Sequence, residues 1–395
     1  MPIVTGIDRL ASIAPRDALG GLGSARLGFI TNDLALTSDI RRGREVLVGA
    51  GYDFRMLFGP EHGLNGQARE GEAQEDGIDA VTGVPSRSLF GDTLSPDPAD
   101  LALVDVILYD LPDVGVRFYT YMWTLSYALE ACAAAGKTLV VLDRPNPIGG
   151  LLSDAEGPWL DEENCTSFVG RWRMPVRHSL TIGELATWWV KSRGIDVDLV
   201  VVPVSGWART ATAFDSLAHW TPPSPNLPNP INAVLYPGTC FIEGVNLAEG
   251  RSTPVPFRVL GTPWLDGDAL AARIRELGIP GLQATPYGFI PLVRDYAGEQ
   301  CNGVLFVVTD HRVLRPVSAI TRVLAAIEEL QPGMLVEAGH TGMPGEPPST
   351  ALEKLFGQRG AFEQITTGQW NDSSKFEVPD WAEAVGDSLL YRDAR

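Results

Sequence analysis

Residues 57–72, LFGPEHGLNGQAREGE, pass from an apolar stretch into a Pro- and Gly-bracketed turn that carries Glu61 and His62 side by side. A carboxyl next to an imidazole at the end of a strand suits proton transfer. The carboxyl, partly withdrawn from water, can act as a general acid, and the ring can orient it. The structural alternative is an ordinary turn framed by Pro60 and Gly63 and capped by Glu61. Further along the same loop, Glu70 and Glu72 could bring a second carboxylate to the same place, or form a solvated acidic face.

Other clusters have a similar setting. Thr31-Asn32-Asp33 follows an apolar run, and DLPDVGVRFYTYMW (110–123) gathers Asp110, Asp113, Arg117, Tyr119 and Tyr121 around a Val-Gly-Val turn. The planar fork of Arg117 suits a ligand carboxylate, and the tyrosines suit hydrogen bonding or stacking on a ligand. An Asp110–Arg117 ion pair tying the loop together is the structural alternative. DRPNPIGG (143–150) holds Arg144 and Asn146 in a loop stiffened by two prolines. Later segments add His178, Asn226, Glu243, Asn246, Glu249 and Arg251. Glu184 is set aside, because Thr181 and Glu184 form a capping box.

Five apolar, β-rich runs position the earlier clusters: 25–31, 53–58, 104–110, 137–143 and 197–204. Such runs suit strands buried on both faces, as in a parallel sheet. Between them, 120–137 and 181–194 keep helical spacing and stop at Gly136 and Gly194. The order predicts an open, mostly parallel, Rossmann-like α/β sheet with helices on both faces and right-handed crossovers. Ligands bind such sheets beyond the carboxyl ends of the strands. The clusters after the first four runs all fall at that edge, which predicts a ligand site there.

At 395 residues the chain exceeds what one core usually serves, so two domains are expected. The proline-rich stretch after residue 220 marks a crossing, and we expect a catalytic domain over 1–235 and a smaller α+β domain over 236–395 that contributes to the cleft. In the latter, 269–278 and 317–330 read as helices and 303–310 as a strand. A net charge of -18 disfavours nucleic acid and anionic membranes as partners. No Gly-rich phosphate cradle opens a helix after a strand, and five histidines without H-x-H or H-x-x-x-H spacing give no metal signature, so neither cofactor nor metal is expected. Four scattered cysteines read as buried free thiols. No signal-like or spanning apolar segment is present, which predicts a cytoplasmic protein, monomeric or homodimeric.

Taken together, GPEHG with its downstream GE, D-x-x-D-V-G-x-R-F-Y-T-Y, LDRPNPIGG, EGP, RH-x-x-TIGEL, PSPN-x-P, YPGT-x-x-IEG-x-N-x-x-EGR and GV-x-x-x-VTD resemble the exo-β-N-acetylmuramidase family, from about residue 25 to the C-terminus. The resemblance implies a Rossmann-like catalytic domain, a smaller second domain that helps close the cleft, and a glycoside hydrolase. Such an enzyme releases β-linked N-acetylmuramic acid from the non-reducing end of a muropeptide or MurNAc-GlcNAc type saccharide. It also implies Glu61 as the catalytic acid. His62, Glu72 and Tyr119 complete the candidate catalytic set, and the other residues named above are candidates for binding. The lactyl carboxylate of muramic acid would give Arg117, Arg144 or Arg251 a purpose. Pro112 stands where the family usually has an amide. The alternatives are an amino-sugar-binding protein without catalysis, a hydrolase of a related amino sugar, and a metal-dependent hydrolase or deacetylase.

Overall fold

The computed structural model describes residues 2–18, 25–69, 71–72, 74–216, 219–339, 343 and 345–391. Seven strands form the first sheet: β1 (Leu27–Thr31), β2 (Phe54–Gly59), β3 (Gly77–Ile78), β4 (Pro85–Ser88), β5 (Val106–Asp110), β6 (Thr138–Leu142) and β7 (Leu199–Val202). Their order is β3-β4-β2-β1-β5-β6-β7, parallel throughout except for the short β3. All five expected strands are present. β3 and β4 go beyond the expectation, because GI and PSRS carry no apolar run to signal them.

Alternation along the strands splits the core between the two faces of the sheet. Phe29, Leu57, Leu108 and Val140 pack with Ile7, Leu10 and Leu47 from helices Gly6–Ala11 and Gly43–Gly49. Ile30, Phe58, Ile107, Tyr109 and Val141 belong to the larger cluster, with Trp123 and Leu125 of helix Tyr121–Ala135 and Leu185 and Trp189 of helix Ile182–Arg193. Both helices end at the expected glycines, in left-handed conformation. The strand order runs one way from β1 through β2 to β4 and the other way from β5 through β6 to β7. The sheet therefore switches direction between β1 and β5, and a crevice opens beyond their carboxyl ends.

The second unit begins with helix Pro230–Thr239, which lies against helix Pro316–Leu330. Contact is so close at Gly238 that a Cβ there would meet the Pro316 carbonyl oxygen at 2.0 Å, so only glycine fits. Strands β8 (Val259–Thr262), β9 (Leu282–Phe289) and β10 (Cys301–Val308) form an antiparallel sheet in the order β8-β10-β9, backed by helix Gly267–Leu277. All four cysteines are free and buried.

After leaving the second sheet the chain returns to the first. The Trp188 indole N–H donates to the Ala384 carbonyl at 2.8 Å, and Trp381 stands edge-on to Trp188 with ring centres 4.7 Å apart. Glu184 closes its capping box and also accepts from Arg209 and from the Leu390 amide. The Tyr391 hydroxyl donates to Asp143 at the end of β6, whose carboxyl also accepts from Thr181 and the Gly183 amide. Burial pushes Asp143 up to about 7 despite these donors.

Candidate active site

Glu61 leaves β2 through Pro60 into a tight turn, with His62 and Gly63 at φ 67 and 70. Left-handed backbone at a histidine is uncommon, and it swings the ring back over its own loop. There Nδ1 lies 2.7 Å from the Ala68 carbonyl. A carbonyl only accepts, so Nδ1 carries a proton in this contact. Glu61 is 9% exposed. Its Oε2 is 2.6 Å from the Thr120 hydroxyl, and its Oε1 accepts from the Gly71 amide at 3.1 Å. Thr120 is the residue before helix Tyr121–Ala135, so the loop after β5 fixes the carboxyl delivered by β2.

Glu61 and His62 line a cleft of about 510 Å³. Phe118, Tyr119 and Thr120 line it from the first unit, as do Phe90 and Phe168; Tyr236, Glu243, Arg251, Phe257 and Arg294 come from the second. Arg251 Nη2 and Arg294 Nη1 donate to the two oxygens of Glu243 at 2.7 and 2.8 Å. Burial raises the Glu243 carboxyl, but the two guanidiniums outweigh it and hold the group below its ordinary value. Glu249 lies behind, 2.7 Å from Arg251 Nε; burial, with the Glu243 charge, pushes it upward.

Of the expected residues, the cleft thus gathers Glu61, His62, Tyr119, Glu243 and Arg251. The Tyr119 hydroxyl is spent on the Pro223 carbonyl at 2.6 Å, so this residue offers its ring. Asn226 sits between the lining residues Ser224 and Leu227. Glu70 lies outside the described residues. Glu72 is exposed and accepts from the Arg69 amide rather than lining the cleft.

Several expectations need correction. Arg117 is fully buried and donates to the carbonyls of Pro158, Met174 and Leu355, clamping the two units together with no path to a ligand carboxylate. Asp110 pairs with Arg144, not Arg117, through two contacts of 2.5 and 2.9 Å. Asn146 locks its own loop through Leu180 and Ile148. His178 is buried, accepts from the Leu180 amide and faces Asp113 at 3.5 Å. Asn32 and Tyr121 hydrogen-bond to each other behind the cleft wall. Asn246 bridges Met334 and Val336. Asp113 and Arg144 line a separate cavity.

Sequence reasoning missed Thr120, Arg294 and Phe168. Thr120 could have been found as the residue that opens the helix after β5. Arg294 follows β9 in a loop with no local pattern to mark it.

An open parallel sheet with a sheltered carboxyl at its carboxyl edge, facing a charged wall from a second unit, defines an α/β enzyme with a two-part cleft. The chain belongs to the exo-β-N-acetylmuramidase family: the profile described as exo-beta-N-acetylmuramidase NamZ, N-terminal, matches residues 27–231, and its C-terminal counterpart matches 234–391. Peptidoglycan beta-N-acetylmuramidase NamZ of Bacillus subtilis is 38% identical over 331 residues, 84% of this chain and 78% of that protein. Two crystal structures of DUF1343 family proteins from Bacteroides fragilis share the fold. One has a TM-score of 0.86 at 27% identity over 99% of both chains, and the other 0.75 at 25% identity over the full length of both.

Proposed function

We propose that the protein is an exo-acting β-N-acetylmuramidase that releases single β-linked N-acetylmuramic acid units from the non-reducing end of peptidoglycan fragments of the MurNAc-GlcNAc type. In this reading residues 1–235 form the catalytic domain and 236–395 supply the charged wall of the cleft. The observation that carries it is the placement of Glu61 and the Glu243–Arg251–Arg294 group on one cleft of a size suited to small ligands. Glu61 protonates the departing glycosidic oxygen as the bond to the anomeric carbon breaks, and water supplies the hydroxyl that this carbon gains and the proton that restores the acid. His62 orients the turn through its Nδ1–H bond to Ala68 and offers Nε2 to the cleft.

Muramic acid differs from glucosamine by a lactyl ether that carries a carboxylate. Arg251 and Arg294 both donate to Glu243, and Glu249 lies against Arg251. Guanidinium groups suit the lactyl carboxylate, and Arg294 and Arg251 on the cleft wall are its donors in this reading. Phe118, Phe168, Tyr119 and Tyr236 give apolar faces for the pyranose ring.

The test compares chromophore release from a β-N-acetylmuramyl aryl glycoside with release from the matching N-acetylglucosaminide, for wild type and Glu61→Gln. Cleavage of the muramyl compound, abolished in the variant, is expected. A Glu61→Gln enzyme with near-normal rate would remove Glu61 from the mechanism.

A further inference from the structure

A second cavity, of about 480 Å³, lies beyond the carboxyl ends of β1, β5 and β6. That is the switch point of the sheet, where open α/β folds most often hold ligands, and the Glu61 cleft stands to one side of it. Leu36, Pro112, Pro145 and Trp220 give this cavity an apolar wall. Asp113 gives it a carboxylate: the residue is 8% exposed, Oδ2 accepts from the Gly115 amide at 2.8 Å, and Oδ1 has no hydrogen-bond donor among the described residues. Leaving such an oxygen unpartnered costs about 1–3 kcal/mol, which a ligand O–H or N–H would recover. Nδ1 of His219, also on the wall, has no hydrogen-bond partner among the described residues.

Charge narrows the ligand class. Arg144 directs Nε and Nη2 to Asp110 and to the Leu36 carbonyl. The other charged wall residue, Asp215, is a second carboxylate, ion-paired with Arg312. Because Arg144 and Asp215 are already paired with Asp110 and Arg312, the acceptors next to an indole and proline rings suit a neutral molecule with hydroxyl or amide donors and an apolar face. We propose that this cavity is a second saccharide site, which binds a neutral sugar of hexosamine size stacked on Trp220 with a hydroxyl or amide N–H donated to Asp113.

Residues 220–227 form a partition between the two cavities. The Trp220 indole N–H donates to the Leu227 carbonyl at 3.1 Å, and Pro223, on the second cavity, accepts from Tyr119, on the cleft. The second site therefore lies next to the catalytic one without sharing its carboxyl groups.

Calorimetric titration of the intact protein with N-acetylglucosamine, cellobiose and glucosamine tests the proposal. Only the choice of the first sugar rests on the peptidoglycan reading, so binding of cellobiose alone would uphold the cavity and count against that reading. The expected result is saturable binding of a neutral sugar, weakened about tenfold or more by Trp220→Ala, largely restored by Trp220→Phe, and unchanged by the cleft variant Arg294→Ala. Asp113→Asn, which keeps the shape of the side chain, should also weaken it. Three outcomes would overturn the proposal: no binding of either neutral sugar, equal affinity in wild type and Trp220→Ala, or loss in Arg294→Ala alone. Preference for the glucosamine cation over both neutral sugars would overturn it too, by marking a site for amines.

Discussion

The Thr120 hydroxyl and the Glu61 carboxyl, delivered by different strands and 59 residues apart in sequence, meet at 2.6 Å. A hydroxyl can donate or accept, so this contact survives whether Glu61 holds its proton or has given it up. Thr120 therefore acts as a positioning residue. Thr120→Ala should lower kcat about 10- to 100-fold with little change in KM, the scale of one hydrogen bond to an ionisable group. Thr120→Ser should restore most of the rate. An unchanged kcat in the alanine variant would show that the carboxyl needs no such support.

Arg117 joins the two units through three carbonyls, and burial pulls its guanidinium down to about 9. Arg117→Met keeps much of the volume and strands those acceptors. We expect a loss of about 3 kcal/mol or more, read as a lower denaturant midpoint. A stable variant with a raised KM for muramyl substrates would instead make Arg117 a ligand contact.

Arg294 tests recognition. Arg294→Ala should reduce kcat/KM on a muramyl aryl glycoside about 10- to 100-fold and change the glucosaminyl rate little, as expected for one charge-assisted contact. Equal losses on both would assign the arginine to holding Glu243 in place.

Asp143 predicts a pH dependence of stability. Burial lifts its folded value to about 7, above the ordinary carboxylate range, so the folded state binds this proton more tightly than the unfolded chain. Its contribution is fully favourable below about pH 4 and is lost as pH rises toward 7, by at most about 4 kcal/mol. Glu156, also raised to about 7 by burial, acts in the same direction. Asp143→Asn, which mimics the neutral acid, should flatten the slope, so that its melting temperature relative to wild type improves between pH 5 and pH 8. A parallel pair of curves would place the slope elsewhere.

What could be read from the sequence follows from the range of the forces involved. Apolar runs and local caps are short-range features, and the five main strands, the helices ending at Gly136 and Gly194, and the Thr181–Glu184 box all stand as expected. Partner choice is long-range. Arg117 was expected to face a ligand, yet its acceptors lie 41, 57 and 238 residues away and are main-chain carbonyls, which leave no trace in residue type. Asp110 had two arginines within reach by sequence, and only packing decided for Arg144. Among the expected site residues, those at the mouth of a turn, such as Glu61, stayed in the cleft. Those at the root of a loop, such as Asn146, became its fasteners.

The link from Tyr391 to Asp143 spans 248 residues. A ribosome makes β6 and the helix that follows β6 long before it makes the segment that ties them down, although domains made first commonly fold first. Until that last stretch emerges, Asp143 and Glu184 lack donors that the finished protein supplies. The nascent sheet must therefore wait, incompletely fastened, while the 248 residues from Asp143 to Tyr391 are made, and a chain interrupted before residue 390 would carry this defect permanently.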